Sequence, residues 1–149
     1  MSAYDVRVEA FDALDPRTAY ALWRLRAAVF VVEQQCFYQD LDGRDLEPGT
    51  RHVWASPSDD DRGRDPVGYL RVLDDGDHAR IGRVLVAPSD RGRGLAGELV
   101  RTALELIGER PSVLDAQSHL AHWYTRFGYA RTGPDFLDDG IPHTPMRRG

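Results

Sequence analysis

The stretch from Ala79 to Ile107, ARIGRVLVAPSDRGRGLAGELVRTALELI, limits what this chain can fold into more than any other. It opens on Ile81 to Val86, rich in β-branched residues, which reads as an extended strand. Pro88 then forbids a continuing ladder through Ala87-Pro88-Ser89-Asp90. Arg91-Gly92-Arg93-Gly94-Leu95-Ala96-Gly97 follows, and apolar residues take up helical spacing at Leu95, Leu99, Ala103 and Leu104, then Leu106 and Ile107. Strand, glycine-rich turn and helix in this order make an anion cradle. Glycines let the backbone approach a ligand closely, and the first N–H groups of a helix have no intrahelical partner and point at it. Arg91 and Arg93 add fixed positive charge beside those dipoles. The stretch predicts a phosphorylated ligand.

Read literally, Gly92-Arg93-Gly94-Leu95-Ala96-Gly97 is a G-x-G-x-x-G dinucleotide fingerprint, with Asp115 near the place of a ribose-binding acid. Its setting is wrong for a nicotinamide-dependent oxidoreductase. Five residues, Pro88 among them, separate Val86 from Gly92, and only 52 residues follow Gly97. That is too little chain for the remaining βαβ units of a doubly wound sheet.

The other segments predict an α+β domain with a mixed sheet. Tyr4 to Phe11 alternates as a strand, and Asp15-Pro16 reads as an N-cap followed by proline at the first helical position. The helix that follows carries Ala19, Leu22, Trp23, Val29 and Phe30 on one stripe, interrupted by Arg26, and runs on towards Cys36. Phe37 to Pro48 is an acidic loop, and Ser56 to Pro66 is a polar connection. His52 to Ala55, Val67 to Leu73, Ala79 to Val86 and Ser112 to Ala116 read as strands. Ser118 is a candidate cap for a helix from His119 to Phe127 that ends at Gly128. Tyr129 to Thr132 and His143 to Arg147 are weak final strands around a loop, Gly133 to Pro142. The order is β-α-β-β-β-α-β-α-β-β in one domain spanning residues 1–149.

A net charge of −5 argues against a broad attraction to nucleic acid, and all 19 basic residues are arginine, which excludes lysine-based chemistry. The single cysteine, Cys36, fits a reducing cytoplasm. The longest apolar run, Ala27 to Val32, is too short for a membrane span, and no basic and apolar leader pattern opens the sequence, so a soluble cytoplasmic protein is expected. His119 and His122 stand three apart without further ligands, so no metal is expected.

Arg91-x-x-Gly94-x-Ala96 resembles the (Gln/Arg)-x-x-Gly-x-(Gly/Ala) turn of the GNAT superfamily of N-acetyltransferases. Trp123-Tyr124-Thr125-Arg126-Phe127-Gly128-Tyr129 resembles that family's aromatic-Tyr-x-x-x-Gly-(Phe/Tyr) signature. The run Val29 to Gly43 (VFVVEQQCFYQDLDG), Arg51-His52, Ala116-Gln117-x-His119-Leu120 and Asp139-Gly140-Ile141-Pro142-His143 look like the ElaA-type subgroup. The resemblance implies an acyl-coenzyme A N-acyltransferase fold and acetyl-coenzyme A as cosubstrate, with transfer of its acyl group to a primary amine. On that reading Leu85, Val86, Arg91, Gly92, Arg93, Gly94, Leu95, Ala96, Gly97 and Gln117 hold the cofactor, and Tyr124 protonates the departing thiolate.

The chemistry asks for such parts. An amine attacking a thioester forms an oxyanion, and the resemblance implies backbone N–H groups to stabilise it where the strand of Leu85-Val86 splays from Leu114 to Ala116. A phenol with an ordinary pKa of about 10 suits a thiolate leaving group. Glu33 is the first candidate base, with His143 or His52 as substitutes, although a glutamate at a helix end also caps or pairs with arginine. Gln34, Tyr38, Asp40, Asp42, His52 and His143 are the candidate acceptor site, and the acidic loop suggests an amine-bearing small molecule or a peptide N-terminus. The sequence leaves a homodimer open. With no convincing nucleophile dyad, direct transfer in a ternary complex is expected, the alternative being a noncatalytic acyl-coenzyme A-binding module.

Overall fold

A computed structural model describes residues 2–59 and 65–149, so part of the polar connection from Ser56 to Pro66 lies outside the described residues. The described strands are β1 (Tyr4–Glu9), β2 (Arg51–Pro57), β3 (Gly68–Asp74), β4 (Ala79–Val86), β5 (Ser112–Gln117), β6 (Ala130–Arg131), β7 (Phe136–Asp138) and β8 (Ile141–Arg148). The helices are α1 (Pro16–Arg26), α2 (Leu95–Ile107) and α3 (Ala121–Thr125). The strands form one mixed sheet in the order β1-β2-β3-β4-β5-β8-β6, with β7 also on β8. Alternation along β2 and β3 sends Val53, Ala55, Leu70 and Val72 to one face and Trp54 and Tyr69 to the other. α2 and α3 cover the first face and α1 the second. Gly68 lets α2 come close, since a Cβ there would stand 2.9 Å from Leu95 Cδ2 and 3.0 Å from Leu99 Cδ1.

Two irregularities in β4 shape everything near the site. β4 and β5 are parallel, yet they pair only at Ala79–Ser112 and Arg80–Val113, and beyond those positions the strands diverge. On its other edge β4 carries one residue more than β3 between Gly82 and Leu85, a bulge that puts Arg83 at φ 55°. A left-handed arginine costs on the order of 1 kcal/mol and persists only where its surroundings hold it.

Local chemistry accounts for most boundaries, and it also explains the departures from the sequence reading. Asp15 caps α1 by accepting from the Thr18 N–H at 2.9 Å, with Pro16 at the first helical position. The expected single helix does not continue as α. At Ala27 it widens into a π-helical segment, Ala27–Glu33, under a run rich in β-branched residues that crowds tight α-helical turns. Ser118 caps no helix: its Oγ accepts from Thr144 Oγ1 at 3.0 Å, and α3 is shorter than the expected His119 to Phe127. The expected loop Gly133 to Pro142 contains β7, which turns back into β8 through Asp139 and Gly140 at φ 50° and 75°. Two positive φ angles make the turn that matches strand twist, and Asp-Gly is its usual sequence.

The acidic loop is pinned by arginine. Arg26, fully buried, donates to Asp45 Oδ1 at 2.7 Å, Asp40 Oδ2 at 3.1 Å and the Asp40 carbonyl at 2.7 Å. Arg71 donates to both Asp42 oxygens, at 2.9 and 2.6 Å, and to Asp45 at 3.0 Å. Arg83 donates to Asp40 Oδ1 at 2.8 Å and lies over the Tyr38 ring at 4.8 Å, which holds the strained bulge. Arg26→Ala leaves Asp45 with Arg71 alone and Asp40 with Arg83 alone beside an arginine-sized void, and breaking a buried pair from one side costs about 3–5 kcal/mol. Urea unfolding is expected to show a loss of that size, and a loss below about 1 kcal/mol would contradict the role given to Arg26.

Candidate active site

The turn before α2 is a set of unused donors. Among the described residues, the backbone N–H groups from Arg91 to Gly97 donate to no protein acceptor, and the first hydrogen bond of the helix is Glu98 N–H to the Gly94 carbonyl at 3.2 Å. Gly92 and Gly94 both sit at φ 79°, which a side-chain-bearing residue adopts only with strain, and Gly94 caps the helix with no side chain of its own. Free amides, the positive end of a 13-residue helix and Arg93 nearby give a cradle suited to phosphate. Arg91 locks the turn to its surroundings: Nε donates to the Val86 carbonyl at 2.9 Å, and Nη1 and Nη2 grip Glu33 at 2.6 and 2.8 Å.

From this cradle a cavity of about 380 Å³ runs along Leu85 and Val86 of β4 towards α3. A second cavity, of about 260 Å³, opens on the other side of the splay, between the π-helical segment, β4, β5 and the β7–β8 hairpin. Val84, Gln117, Leu120, Tyr124 and Gln34 belong to the walls of both. Gln117 Nε2, at the end of β5, donates to Gln34 Oε1 at the end of the π-helical segment at 3.1 Å. Tyr124 is 5 % exposed and its hydroxyl makes no hydrogen bond among the described residues. Among the described residues the fully enclosed polar side-chain atoms without a partner are Trp54 Nε1 and Arg71 Nε, so the Tyr124 hydroxyl instead reaches open space where the cavities meet. Burial, with Tyr129 beside it, raises the Tyr124 pKa, which keeps the phenol protonated.

Leu85, Val86, Arg91, Gly92, Leu95, Ala96 and Gln117 are brought together around the larger cavity, while Gly94 supplies the cap and Gly97 is buried in the first turn of α2. Arg93 lies outside that wall, next to Tyr4 and Asp90. Gln34, Tyr38 and His143 line the smaller cavity. His143 Nδ1 faces the Ile141 carbonyl at 2.8 Å, so in the neutral ring that nitrogen carries the proton and Nε2 keeps its lone pair.

Four expectations change. Glu33 lines neither cavity, and the Arg91 hydrogen bonds hold its carboxyl below the usual range, so it is a poor proton acceptor. Asp40 and Asp42 are consumed by Arg26, Arg71 and Arg83 and are not free for an acceptor. His52 is fully enclosed, with Nδ1 2.6 Å from the Tyr69 hydroxyl and Nε2 3.0 Å from the Asp45 carbonyl. Because a carbonyl only accepts, Nε2 carries the proton and the tyrosine donates to Nδ1. The dinucleotide reading also fails, because the glycine turn follows a strand of a largely antiparallel sheet and Asp115 pairs with Arg80 at 3.2 Å. Sequence reasoning missed Arg83, Asp138 and Asp139, which line the smaller cavity. A signal existed only for the last two, in the Asp-Gly turn.

The chain belongs to the GNAT acetyltransferase family, whose domain it matches over residues 24–148. It is 44% identical over 148 residues to a UPF0039 protein of Mycobacterium tuberculosis, covering 95% of this chain and 90% of that one. Protein ElaA of Escherichia coli is 40% identical over 136 residues, covering 87% of this chain and 86% of its own. The crystal structure of an acyl-CoA N-acyltransferase from Pseudomonas aeruginosa superposes with a TM-score of 0.88 at 37% identity, covering 98% of this chain and 99% of the other.

Burial pushes the His52 imidazole below its ordinary value. Above pH ~6.5 the ring is neutral in both folded and unfolded chains, and below it the unfolded chain takes up a proton that the native state refuses. Stability therefore falls as pH drops from about 7 towards 5, before the carboxylates titrate. His52→Gln should lower stability at pH 7 and flatten that slope, as read from urea midpoints at each pH. An unchanged slope would contradict the assignment.

Proposed function

We propose that this protein transfers an acyl group, acetyl in the simplest case, from acyl-coenzyme A to a primary amine by direct attack in a ternary complex. One observation carries the reading: the Tyr124 hydroxyl, unpartnered among the described residues, opens where two cavities meet across the splay of β4 and β5. A thioester in one cavity and an amine in the other would meet beside it. The 37% identical Pseudomonas protein, an acyl-CoA N-acyltransferase, supports the same chemistry. A cytoplasmic site of action fits an unpaired, buried Cys36, and among the described residues no helix is long and apolar enough to cross a membrane.

The residues divide the work as follows. The amides of Arg91 to Gly97 hold the pyrophosphate, and the diverging edges of β4 and β5 offer backbone groups to the pantetheine arm. Those on β4 beside Val84 and Leu85 stabilise the oxyanion formed when the amine nitrogen bonds to the thioester carbon. The nitrogen's surplus proton passes to His143 Nε2, directly or through water. The C–S bond breaks, and the sulfur takes the Tyr124 proton. His143 and Tyr124 then exchange the proton through solvent, which restores both. The products are an amide and the free thiol of coenzyme A.

Tyr124→Phe removes the donor and leaves the ring, so kcat should fall by about 10²-fold or more while acetyl-coenzyme A affinity stays nearly constant. Thiol release measures the first quantity and calorimetry the second, with NAD as the control ligand. Unchanged kcat would remove Tyr124 from the mechanism. Tight cofactor binding with no turnover on any amine would favour a noncatalytic binding module.

A further inference from the structure

The charge in the smaller cavity is not evenly neutralised. Each cation in its wall is already engaged: Arg71 with Asp42 at 2.6 Å, Arg83 with Asp40 at 2.8 Å, and Arg80 with Asp115 at 3.2 Å. That pairing also uses up Asp115. Asp138 and Asp139 differ, since among the described residues their carboxylates make no ion pair and no hydrogen bond, though both line the cavity. Their place is fixed, because Asp139 and Gly140 form the tight turn between β7 and β8 and Asp138 pairs with Ile141 across it. Their field extends to the opposite wall, where burial, then Asp139 and Asp138, raise the Cys36 thiol. Among the described residues the wall therefore presents two carboxylates without an ion-pair partner, while the arginines that share it are already committed to other carboxylates.

A second, independent feature marks the same space as a ligand site. The Tyr124 hydroxyl, on a side chain with 5 % exposure, has no partner among the described residues and opens into it. A molecule beside Tyr124 and His143 shares this space with the tight turn that carries Asp138 and Asp139. The space is small: about 260 Å³, below the roughly 300–1,000 Å³ of typical ligand pockets. It suits a compact molecule.

The carboxylates are ill-suited to the nitrogen that reacts. That nitrogen must lose a proton before it attacks, and a neighbouring carboxylate stabilises the charged, unreactive ammonium. They suit a group that stays charged throughout. We propose that the acceptor is a small molecule with two amino groups, one acylated beside Tyr124 and the other held as ammonium by Asp138 and Asp139. The proposal rests on the N-acyl transfer reading above. It moves cation recognition from the acidic loop, where arginines consume Asp40 and Asp42, to the β7–β8 hairpin.

The test is an acceptor panel with acetyl-coenzyme A, read as thiol release: straight-chain diamines of three to five carbons, a primary monoamine of matching length, and an amino acid whose far end is a carboxylate. The expected kcat/KM for the best diamine exceeds that of the monoamine by about tenfold or more, with the amino acid slowest. Asp138→Asn with Asp139→Asn should raise the diamine KM about tenfold and erase its advantage over the monoamine. The affinity for acetyl-coenzyme A, whose cavity includes neither residue, should hold. A monoamine or amino acid used as well as the diamines, or a preference that survives the double variant, overturns the proposal. Should no amine turn over although acetyl-coenzyme A binds, the transfer reading falls. Calorimetry of the diamines on the coenzyme A-saturated protein then decides the proposal alone: binding lost in the double variant upholds it, and absence of binding overturns it.

Discussion

Two parallel strands that pair for two residues and then part are the constraint on which the site depends. Backbone groups in a sheet interior need partners, so a ladder that stops at Arg80–Val113 leaves edges that water or a ligand must satisfy. The bulge at Arg83 bends β4 away from β5, and β8 keeps its register with β5 out to Gln117–His143. The wedge between β4 and β5 becomes the passage between two cavities, with α3 placing Tyr124 over it. The turn before α2 then meets one mouth of that passage with unpaired amides, and the hairpin meets the other with unpaired carboxylates.

The bulge holds only because something holds Arg83. Asp40 takes one Arg83 nitrogen and one Arg26 nitrogen, so the second face of the sheet is tied to α1 and to the acidic loop through one carboxylate. Arg26, Arg71 and Arg83 balance Asp40, Asp42 and Asp45, and His52 and Tyr69 extend the network as a neutral relay. Buried ion pairs of this kind stabilise little beyond what their desolvation costs. They do fix geometry, and here they fix one wall of the smaller cavity.

Local chemistry was legible in the sequence and long-range pairing was not. Proline followed by spaced glycines marked the turn before α2, because left-handed backbone and free amides are properties of a few adjacent residues. Tyr124 was legible through the aromatic and glycine pattern around it. Arg26 showed only as a break in an apolar stripe, since its partners lie 14, 19 and 43 residues away. Glu33 looked like a base at a helix end until the fold set Arg91, 58 residues later, against it. The π-helical widening went unread because periodicity there is too short to separate 3.6 from a wider turn. Asp138 and Asp139 stood in plain view as a turn, but nothing in their spacing shows that they face a cavity.

Amide chemical shifts on adding coenzyme A to the isotope-labelled protein test the central claim most directly. The largest changes are expected at Arg91 to Gly97 and along the splay, at Val84, Leu85 and Gln117, with Asp138 and Asp139 little affected. Changes confined to other surfaces, or none at saturating coenzyme A, would contradict it.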